Sequence, residues 1–477
     1  MKKEISAKWA FLTFLIMIVT MIITVVQLKQ SPHVPLIVGT TVAAIVAKMH
    51  GFKWQEIEEM MYKGIRLALP AIVIIILVGL VIGAWIGGGV VATMIYYGLK
   101  LISPAWFLVT IMLLCSIVSL AIGSSWSTMA TIGVAGMGIG LSMGIPAAMI
   151  AGAVISGSYF GDKMSPLSDT TNLAAGLTGT DLFDHIKHML YTTLPALIIS
   201  FVVFAIMGRG FADVSMKSES ILTTLSVMEE SFVISPWLLL VPVGVIVLVA
   251  KKIPAIPALL IGIVSGFLLQ IFVQGGTLAA AVQALQAGFE ISTGNAMVDE
   301  LFNRGGLDSM MNTVSMTIVA MTFGGILEYS GMLKALMDVI VKFAKSTGSL
   351  IAATIAACIT TNATCSEQYI SIVVPSRMFA NVYQKRGLHS KNLSRALEDG
   401  GTLTSVFFPW NTCGVFILAT LGVGAMEYAP YAILNFTVPI ISIIYGYIGF
   451  AIVKLTPEEM ATAEKRSQEQ DKELAGV

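Results

Sequence analysis

The sequence predicts an all-α polytopic membrane protein with two inverted-topology repeats, re-entrant hairpins, broken helices and roughly 11 to 13 membrane segments. Three observations support this prediction. The composition is strongly apolar, long runs of the chain carry no charged side chain, and unusual polar motifs of the first half recur in the second. Together they indicate a chain that crosses a membrane many times and keeps polar groups inside it.

The composition is that of a protein surrounded by lipid. Hydrophobic residues make up 56% of the 477 residues and charged residues 12%, with a mean hydropathy of +0.85. About 20 apolar residues span a bilayer as a helix, and residues 9–28, 189–208 and 231–250 are such uncharged runs. Residues 101–161 form a longer one, with room for more than one pass or for a re-entrant hairpin. Helices are expected because backbone groups in lipid must be hydrogen-bonded within their own segment.

Charge and motifs exclude several other classes of function. Lys plus Arg and Asp plus Glu number 28 each, so nothing in the net charge indicates a nucleic-acid partner, and the expected partner is the lipid bilayer. The sequence contains no His-Glu-x-x-His, no Gly-x-Ser-x-Gly and no Walker lysine after a glycine loop. We therefore expect a secondary transporter driven by an ion gradient, with no enzyme activity and no cofactor.

Loop charges predict how the halves are oriented. Lys and Arg in short loops mark the cytoplasmic side of a membrane protein. The segment from Arg377 to Arg395 is rich in both and has no acid, whereas its counterpart, residues 138–156, carries no charge. Equivalent loops that differ in this way are expected on opposite faces of the membrane. This predicts that the second half is inverted relative to the first.

The same reasoning divides the chain into four parts. Residues 1–208 form a first membrane repeat, and residues 209–233 form a mostly acidic linker that is expected outside the cell. Residues 234–453 form the second, inverted repeat, and residues 454–477 form a polar tail. Both termini are predicted to be cytoplasmic, the first because it carries Lys2 and Lys3.

The repeat itself is visible as matching residues. Three pairs match at an offset of 239 residues: Ser127 with Ser366, Gly161 with Gly400, and Asn172 with Asn411. Two glycine pairs match at 241 residues: Gly64 with Gly305, and Gly83 with Gly324. Interrupted membrane segments at corresponding positions of two repeats are typical of a transporter's binding site.

The first interrupted segment of each half is rich in hydroxyls. In the first half it includes Ser124, Ser127 and Thr128. In the second half it includes Thr361, Asn362, Thr364, Ser366 and Glu367. A membrane hydroxyl can also bond the carbonyl of the preceding turn, and that alternative stays open for each of them. The amide oxygen of Asn362 suits Na⁺, and an intramembrane carboxyl such as Glu367 indicates an ion pathway or proton site.

The second interrupted segment supplies further acids. In the first half, Asp162 and Asp169 flank a helix break at Pro166, and Asn172 follows. An ordinary turn would use the same residue types. Lys163 could pair with an aspartate or extend to the interface. The counterpart in the second half begins Glu398-Asp399-Gly400-Gly401 and ends near Asn411.

Three further groups have open roles. His185 and His188 lie in a polar stretch, which is expected to be a solvated loop, with a pH sensor as the alternative. Glu328 is another candidate for the site, or caps the end of its helix. No arginine is found inside an expected spanning segment, which favours a cation over an organic anion as the cargo.

Two strings of residues resemble those of a known family. Gly123-Ser-Ser-Trp-Ser-Thr-Met-Ala-Thr-Ile-Gly and Gly157-Ser-Tyr-Phe-Gly-Asp-Lys-Met-Ser-Pro-Leu-Ser-Asp-Thr-Thr-Asn resemble the NhaC-type Na⁺/H⁺ antiporters of bacteria, and the resemblance extends over nearly the whole chain. It implies exchange of Na⁺ for H⁺ across the bacterial cell membrane. The family's superfamily also holds dicarboxylate carriers, whose Na⁺-binding hairpin tips are similar to Thr361-Asn362-Ala363-Thr364, and by analogy it implies a homodimer.

Some relatives in this family are similar to malate–lactate antiporters. The alternative function is therefore uptake of malate with protons against release of Na⁺ with lactate. The residues and the resemblance together predict an alternating-access antiporter in which Na⁺ and H⁺ compete for the same carboxyls. Desolvation favours the protonated carboxyl and a bound cation favours the ionised one, which would couple the two ions.

The predicted site is a set of carboxyls and amides with hydroxyls around them. The residues expected to bind a cation or proton are Asp162, Asp169, Asn172, Asn362, Glu367 and Asp399. Those expected to support them are Ser124, Ser127, Thr128, Thr361, Thr364, Ser366 and Asn411. The residues expected to hold Na⁺ are Asp162, Asn172, Asn362 and Glu367.

Overall fold

A computed structural model describes residues 4–28, 30–212, 219–251 and 253–456. Within these ranges the regular structure is helical, apart from one isolated antiparallel bridge between Leu388 and Lys454. The all-α class predicted from the sequence is confirmed. Lys2 and Lys3 of the N-terminus and residues 457–477 of the expected tail lie outside the described residues.

The first half consists of helices separated by short breaks. They are α1 Ala7–Met21, α2 His33–Met49, α3 Trp54–Gly87, α4 Val90–Leu101, α5 Phe107–Ile122, α6 Ser125–Thr128, α7 Val134–Ser142, α8 Ala147–Met164, α9 Asp169–Thr178 and α10 Leu182–Arg209. A π-helical segment, Met129–Gly133, joins α6 to α7, and another, Ile22–Gln27, extends α1.

The second half has the same character. Its helices are α11 Glu219–Ser231, α12 Leu240–Ala250, α13 Ala255–Phe272, α14 Leu278–Gln286, α15 Ala296–Phe302, α16 Leu307–Tyr329, α17 Met332–Val341, α18 Thr347–Cys365, α19 Gln368–Lys385, α20 Ser390–Leu397, α21 Thr412–Leu421, α22 Ala425–Tyr428 and α23 Ile433–Ile448. A π-helical segment, Glu398–Thr402, continues α20. Short 3₁₀ turns lie at Pro104–Trp106, Pro236–Leu239, Ser405–Phe407 and Ala429–Tyr431.

Many of these helices match a membrane in length and composition. Among the described residues, six helices are long and apolar enough to cross a bilayer, or up to nine if each of three bent helix pairs is one span. Three shorter apolar helices add to these: His33–Met49, Val90–Leu101 and Ile256–Phe272. The protein is therefore a multi-pass membrane protein, while the total of 11 to 13 embedded segments stays a prediction.

The expected linker contains a helix. Within the predicted linker, residues 209–233, helix α11 occupies Glu219–Ser231. Residues 213–218, which include Asp213 and Lys217, lie outside the described residues. The extracellular location of the linker stays a prediction.

Equivalent helix ends of the two halves lie 243 residues apart. Helix α5 ends at Gly123 and α18 at Ser366, and both residues have left-handed backbone angles, with φ of 75° and 60°. Ser168 and Asn411, again 243 apart, each accept a backbone hydrogen bond at the start of α9 and of α21. The pairing at 239 residues is therefore wrong by about one helical turn, since Ser127 lies inside α6 whereas Ser366 ends α18.

Glycines bring α3 and α16 into direct backbone contact. A Cβ atom added to Gly64 would lie 2.9 Å from the Cα of Gly325, and one added to Gly83 would lie 3.2 Å from the nitrogen of Gly306. The first half of α3 thus meets the end of α16, and the end of α3 meets the beginning of α16. The two helices therefore run antiparallel. Gly64 contacts Gly325, and Gly83 contacts Gly306. A two-fold relation makes these two contacts equivalent if Gly64 corresponds to Gly306 and Gly83 to Gly325, so the register at these glycines is 242 residues and not 241.

Other contacts between the halves are reciprocal. Helix α9 packs on α19, and its equivalent α21 packs on α7 and on the π-helical segment before it. Helix α10 packs on α20, and its equivalent α23 packs on α8. A two-fold relation between two similar units produces such reciprocal contacts. They support the prediction of two repeats, and the antiparallel course of α3 and α16 supports their inversion.

The substitution Gly64→Ala should destabilise the protein by about 1–3 kcal/mol, the usual cost of forcing extra atoms into a packed interior. The reason is that the new methyl group would lie 2.1 Å from the carbonyl oxygen of Met321, so α3 and α16 must separate. Thermal unfolding in mild detergent measures the effect. Gly176→Ala in α9 is the matched control, because nothing lies within 4 Å of its added Cβ. Equal melting temperatures for both variants would contradict the close approach.

Candidate cation site

One cavity of 480 Å³ lies where the first breaks of the two halves meet. Ser124 and Ser125 line it from the break between α5 and α6, and Glu367 lines it from the break between α18 and α19. Asp162 of α8, Asp169 and Thr170 of α9, and Gln368 of α19 add to its polar lining. Two predicted carboxyls of the first half and one of the second therefore line the same cavity.

Asp162 closes the first break. It sits in the last turn of α8 and is almost fully buried. Its Oδ2 accepts hydrogen bonds from the backbone nitrogen of Ser125 at 3.1 Å and from the Ser125 hydroxyl at 2.7 Å. The carboxylate thus pairs with a free backbone N–H group at the start of α6, where the helix dipole favours negative charge. A cation in the cavity would meet a carboxylate that is already oriented.

Glu367 occupies the equivalent break of the second half. It precedes α19, and its Oε2 accepts from the backbone nitrogens of Tyr369 at 2.6 Å and Ile370 at 3.1 Å. The residue is only 4% exposed, although it lines the cavity. In the 243-residue register its counterpart is Ser124. One broken helix therefore begins with a carboxyl and the other with a hydroxyl.

Asp169 and Asn172 lie at the outer edge of this region. Both are exposed residues of α9. The amide nitrogen of Asn172 donates to the carbonyl oxygens of Pro166 at 2.8 Å and Ser168 at 2.7 Å, and so holds the loop before α9. Asp169 lines the cavity, but Asn172 is not among its lining residues. The prediction of Asn172 as a Na⁺ ligand is therefore not supported by this geometry.

Asn362 and Asn411 form a second polar cluster in the interior. The amide nitrogen of Asn362 donates to the carbonyl oxygen of Gly401 at 2.7 Å and to the Thr404 hydroxyl at 3.1 Å. The amide nitrogen of Asn411 donates to Oδ1 of Asn362 at 3.2 Å. Both asparagines are fully buried, and neither lines the cavity of Asp162. The structure thus brings them together with each other and not with Asp162.

Three of the six predicted supporting hydroxyls take the alternative role that the sequence left open. Thr128, Thr361 and Thr364 donate to the backbone carbonyl four residues earlier, at 2.8–2.9 Å. Ser127 is buried, and its backbone nitrogen donates to the Ser124 hydroxyl at 3.2 Å. Ser366 is fully buried, and its hydroxyl has no hydrogen-bond partner in the described part of the chain. Of the predicted hydroxyls, Ser124 alone lines the cavity.

Asp399 belongs to a buried ion cluster and not to the cavity. Its Oδ1 accepts from Nζ of Lys163 at 2.7 Å and from the Thr192 hydroxyl at 3.2 Å. Its Oδ2 lies 4.0 Å from Nε of Arg395, and all three charged groups are fully buried. Lys163 therefore pairs with an aspartate of the other half. We leave Asp399 out of the cation site, because two protein cations already neutralise it.

Two expectations from the sequence are corrected near this cluster. His185 and His188 are buried in the first turns of α10, whereas a solvated loop was expected. Arg395 is buried inside a bent helix pair that could span the membrane, Ser390–Phe407 with Thr412–Leu421, where no arginine was expected. The error arose because Arg395 ends a basic segment and was assigned to its loop.

Sequence reasoning also missed Ser125 and Gln368. Ser125 donates to Asp162, and Oε1 of Gln368 accepts from the Ser405 hydroxyl at 3.4 Å and from the Cys413 thiol at 3.0 Å. In the 243-residue register Ser125 corresponds to Gln368, and Asp162 to Ser405. The hydrogen bond between Ser125 and Asp162 in the first half is therefore equivalent to the one between Gln368 and Ser405 in the second. The correct register would have revealed this pair.

A second cavity, of 860 Å³, lies beyond α21. Arg304, Asn312 and Glu427 line it, as does Gly414 in the first turn of α21. On the other side of that turn, Cys413 contacts Gln368, which lines the cavity of Asp162. The first turn of α21 therefore lines one cavity and contacts a residue that lines the other.

A carboxyl-lined cavity between broken helices of a multi-pass membrane protein is the kind of site found in ion-coupled secondary transporters. Residues 157–450 match the model of the Na⁺/H⁺ antiporter family. The chain is 41% identical to the Na⁺/H⁺ antiporter NhaC of Alkalihalophilus pseudofirmus, over 98% of this chain and 100% of that protein.

Two proteins of Bacillus subtilis are similar as well. Its Na⁺/H⁺ antiporter NhaC is 38% identical, over 94% of this chain and 99% of the relative. Its malate-2H⁺/Na⁺-lactate antiporter is 36% identical, over 90% of this chain and 92% of the relative. The chain belongs to the Na⁺/H⁺ antiporter family.

Proposed function

We propose that this protein exchanges Na⁺ for H⁺ across the bacterial cell membrane by alternating access. The observation that carries the proposal is the meeting of Asp162 and Glu367 from different halves in one cavity. Carboxylate oxygens are the hard ligands that Na⁺ needs. Each carboxylate is oriented by backbone nitrogens at a helix start. Na⁺ is proposed to bind between them, with Asp169 at the entrance.

The arrangement of the halves supports alternating access. Two repeats that run in opposite directions can exchange conformations, so that one site opens first to one side and then to the other. The antiparallel contact of α3 and α16 fits such a pair. The first turn of α21, which lines one cavity and contacts a residue that lines the other, is proposed as the barrier that moves.

The second candidate is exchange of organic acids coupled to Na⁺ and H⁺. The observation in its favour is the similarity to the malate-2H⁺/Na⁺-lactate antiporter. Against it, no arginine or lysine is among the described residues that line the cavity of Asp162. An anionic cargo would be expected to meet a cation there, so simple Na⁺/H⁺ exchange is the preferred function.

Transport in proteoliposomes tests the proposal. The purified chain is reconstituted, a Na⁺ gradient is imposed, and internal pH is followed with a fluorescent dye. We expect Na⁺ loaded inside to drive proton entry without any organic acid. Proton movement that appears only when malate or lactate is added would support the second candidate instead. A chain that moves no protons under either condition would contradict both.

A further inference from the structure

Glu398 is a buried carboxyl that has no part in the cation site described above. It begins the π-helical segment Glu398–Thr402 and is fully buried. Its Oε1 accepts a hydrogen bond from the Thr170 hydroxyl at 2.9 Å. Its Oε2 has no hydrogen-bond partner among the residues that the structure describes. Burial with one oxygen unpaired favours the neutral carboxyl, whereas the nearby Lys163 ammonium favours the ionised one, so both forms are accessible to this group.

Thr170 connects Glu398 to the cavity. It lies in the first turn of α9 and lines the same cavity as Asp162 and Glu367. A hydroxyl both donates and accepts hydrogen bonds. The Thr170 hydroxyl can therefore pass its proton to the Glu398 carboxylate and take another from the aqueous cavity. Release runs through the same atoms in reverse.

The charges around Glu398 allow its protonation state to affect cation binding at Asp162. Lys163 and Asp162 on α8 act on Glu398 electrostatically, Glu398 acts on Cys358 of α18, and the ion-paired Arg395 and Asp399 lie on its own helix, three residues before it and one after it. With Glu398 ionised, the two cations Lys163 and Arg395 balance Glu398 and Asp399. With Glu398 neutral, the cluster carries one positive charge.

That extra charge lies beside the cation site. Lys163 directly follows Asp162 in α8, so the cluster and the Na⁺-binding carboxyl share one helix turn. Like charges repel more strongly in a protein interior than in water. A proton on Glu398 therefore opposes a cation at Asp162, and a bound cation favours release of the proton.

We propose that Glu398 carries the exchanged proton, at a carboxyl distinct from those that hold Na⁺. This inference rests on the proposed Na⁺/H⁺ exchange and names the proton site within it. Na⁺ and H⁺ then compete through charge and not only by occupying the same oxygen atoms.

The test compares two kinds of transport by Glu398→Gln in proteoliposomes. Glutamine keeps the shape and the acceptor for Thr170 but has no titratable proton. We expect Na⁺-driven proton movement to fall on the order of 100-fold or more, the usual contribution of a positioned proton-transfer group. Exchange of labelled for unlabelled Na⁺, which needs no proton, should persist. In the wild type the KM for Na⁺ in that exchange should rise as pH falls, and in Glu398→Gln it should rise less, since only direct competition at the cation-binding carboxyls remains.

Glu398→Asp is the matched variant, because it keeps a titratable carboxyl; it should restore proton movement and the full pH dependence of KM. The inference is overturned if Glu398→Gln moves protons at the wild-type rate. It is also overturned if Glu398→Gln loses both kinds of transport, since Glu398 would then have a structural role. A wild-type protein without Na⁺-driven proton movement would instead refute the proposed function, so the two failures are distinguishable.

Discussion

Replacing Asp162 by asparagine should reduce Na⁺-driven proton transport on the order of 100-fold. Removing one member of a buried charge pair costs about 2–5 kcal/mol, and each 1.4 kcal/mol corresponds to a factor of ten. Here the lost partner is the carboxylate that would meet Na⁺ in the cavity. Asparagine retains an oxygen that can accept from the backbone nitrogen and hydroxyl of Ser125. The break between α5 and α6 should therefore stay closed, and the defect should be in transport and not in folding.

Two comparisons make this result specific to the charge. Ser125→Ala removes the hydroxyl donor at 2.7 Å but leaves the carboxylate in place, so we expect a smaller loss, on the order of tenfold, the lower end of the range for one hydrogen bond to a charged group. Asp169→Asn changes an exposed carboxyl at the entrance and should also have a smaller effect than Asp162→Asn. Size-exclusion profiles in detergent verify folding. A fully active Asp162→Asn protein would remove Asp162 from the cation site.

The fold class was predictable because it depends on local properties of the chain. Uncharged runs such as residues 189–208 identify membrane helices without any knowledge of their partners. The left-handed end of α5 at Gly123 is also a local signal, since glycine adopts that conformation without strain. The equivalent end of α18 uses Ser366, which gives no such signal. This difference explains why a search for identical residues found an offset of 239 and not 243.

The carboxyls of the cavity were predictable, but which acids line the cavity and which form buried ion pairs was not. Asp162 and Glu367 were noticeable as charges next to long uncharged runs. Asp399 was equally noticeable, yet its partner Lys163 is 236 residues away in the sequence. Whether a buried acid faces a cavity or a lysine is decided by how the halves pack. Composition and spacing contain no information on that.

The hydroxyls and histidines illustrate a similar limit. Thr128 and Ser124 belong to the same motif, but Thr128 donates to a carbonyl of its own helix, and Ser124 lines the cavity. A difference of four residues within one short segment decides the role. His185 and His188 follow the helix-capping residue Asp181, and the polar residues around them resembled a loop. The cap was the available signal that α10 had already begun.

Asp399→Asn should destabilise the protein by about 3–5 kcal/mol, the usual cost of removing one member of a buried ion pair. The carboxylate of Asp399 lies 2.7 Å from the Lys163 ammonium and 4.0 Å from the Arg395 guanidinium, and none of these side chains is exposed. Without it, the buried Lys163 and Arg395 lose the carboxylate that both of them face. Lys163 is in the first half and Asp399 in the second. Loss of the ion pair should therefore also weaken the contact between α8 and the π-helical segment Glu398–Thr402. Unfolding by SDS titration measures the change.

The double variant Lys163→Met with Asp399→Asn separates the charge effect from simple damage to packing. Removing the lysine together with its partner leaves one uncompensated cation fewer, so the double variant should be more stable than Asp399→Asn alone. The coupling between the two substitutions should then exceed about 1 kcal/mol, as it does for residues in direct contact. Additive costs would mean that the 2.7 Å contact contributes no interaction energy. Apolar side chains of similar size would avoid the cost of burying charge. A coupled result would therefore indicate that this ion pair is retained because it holds the two halves together.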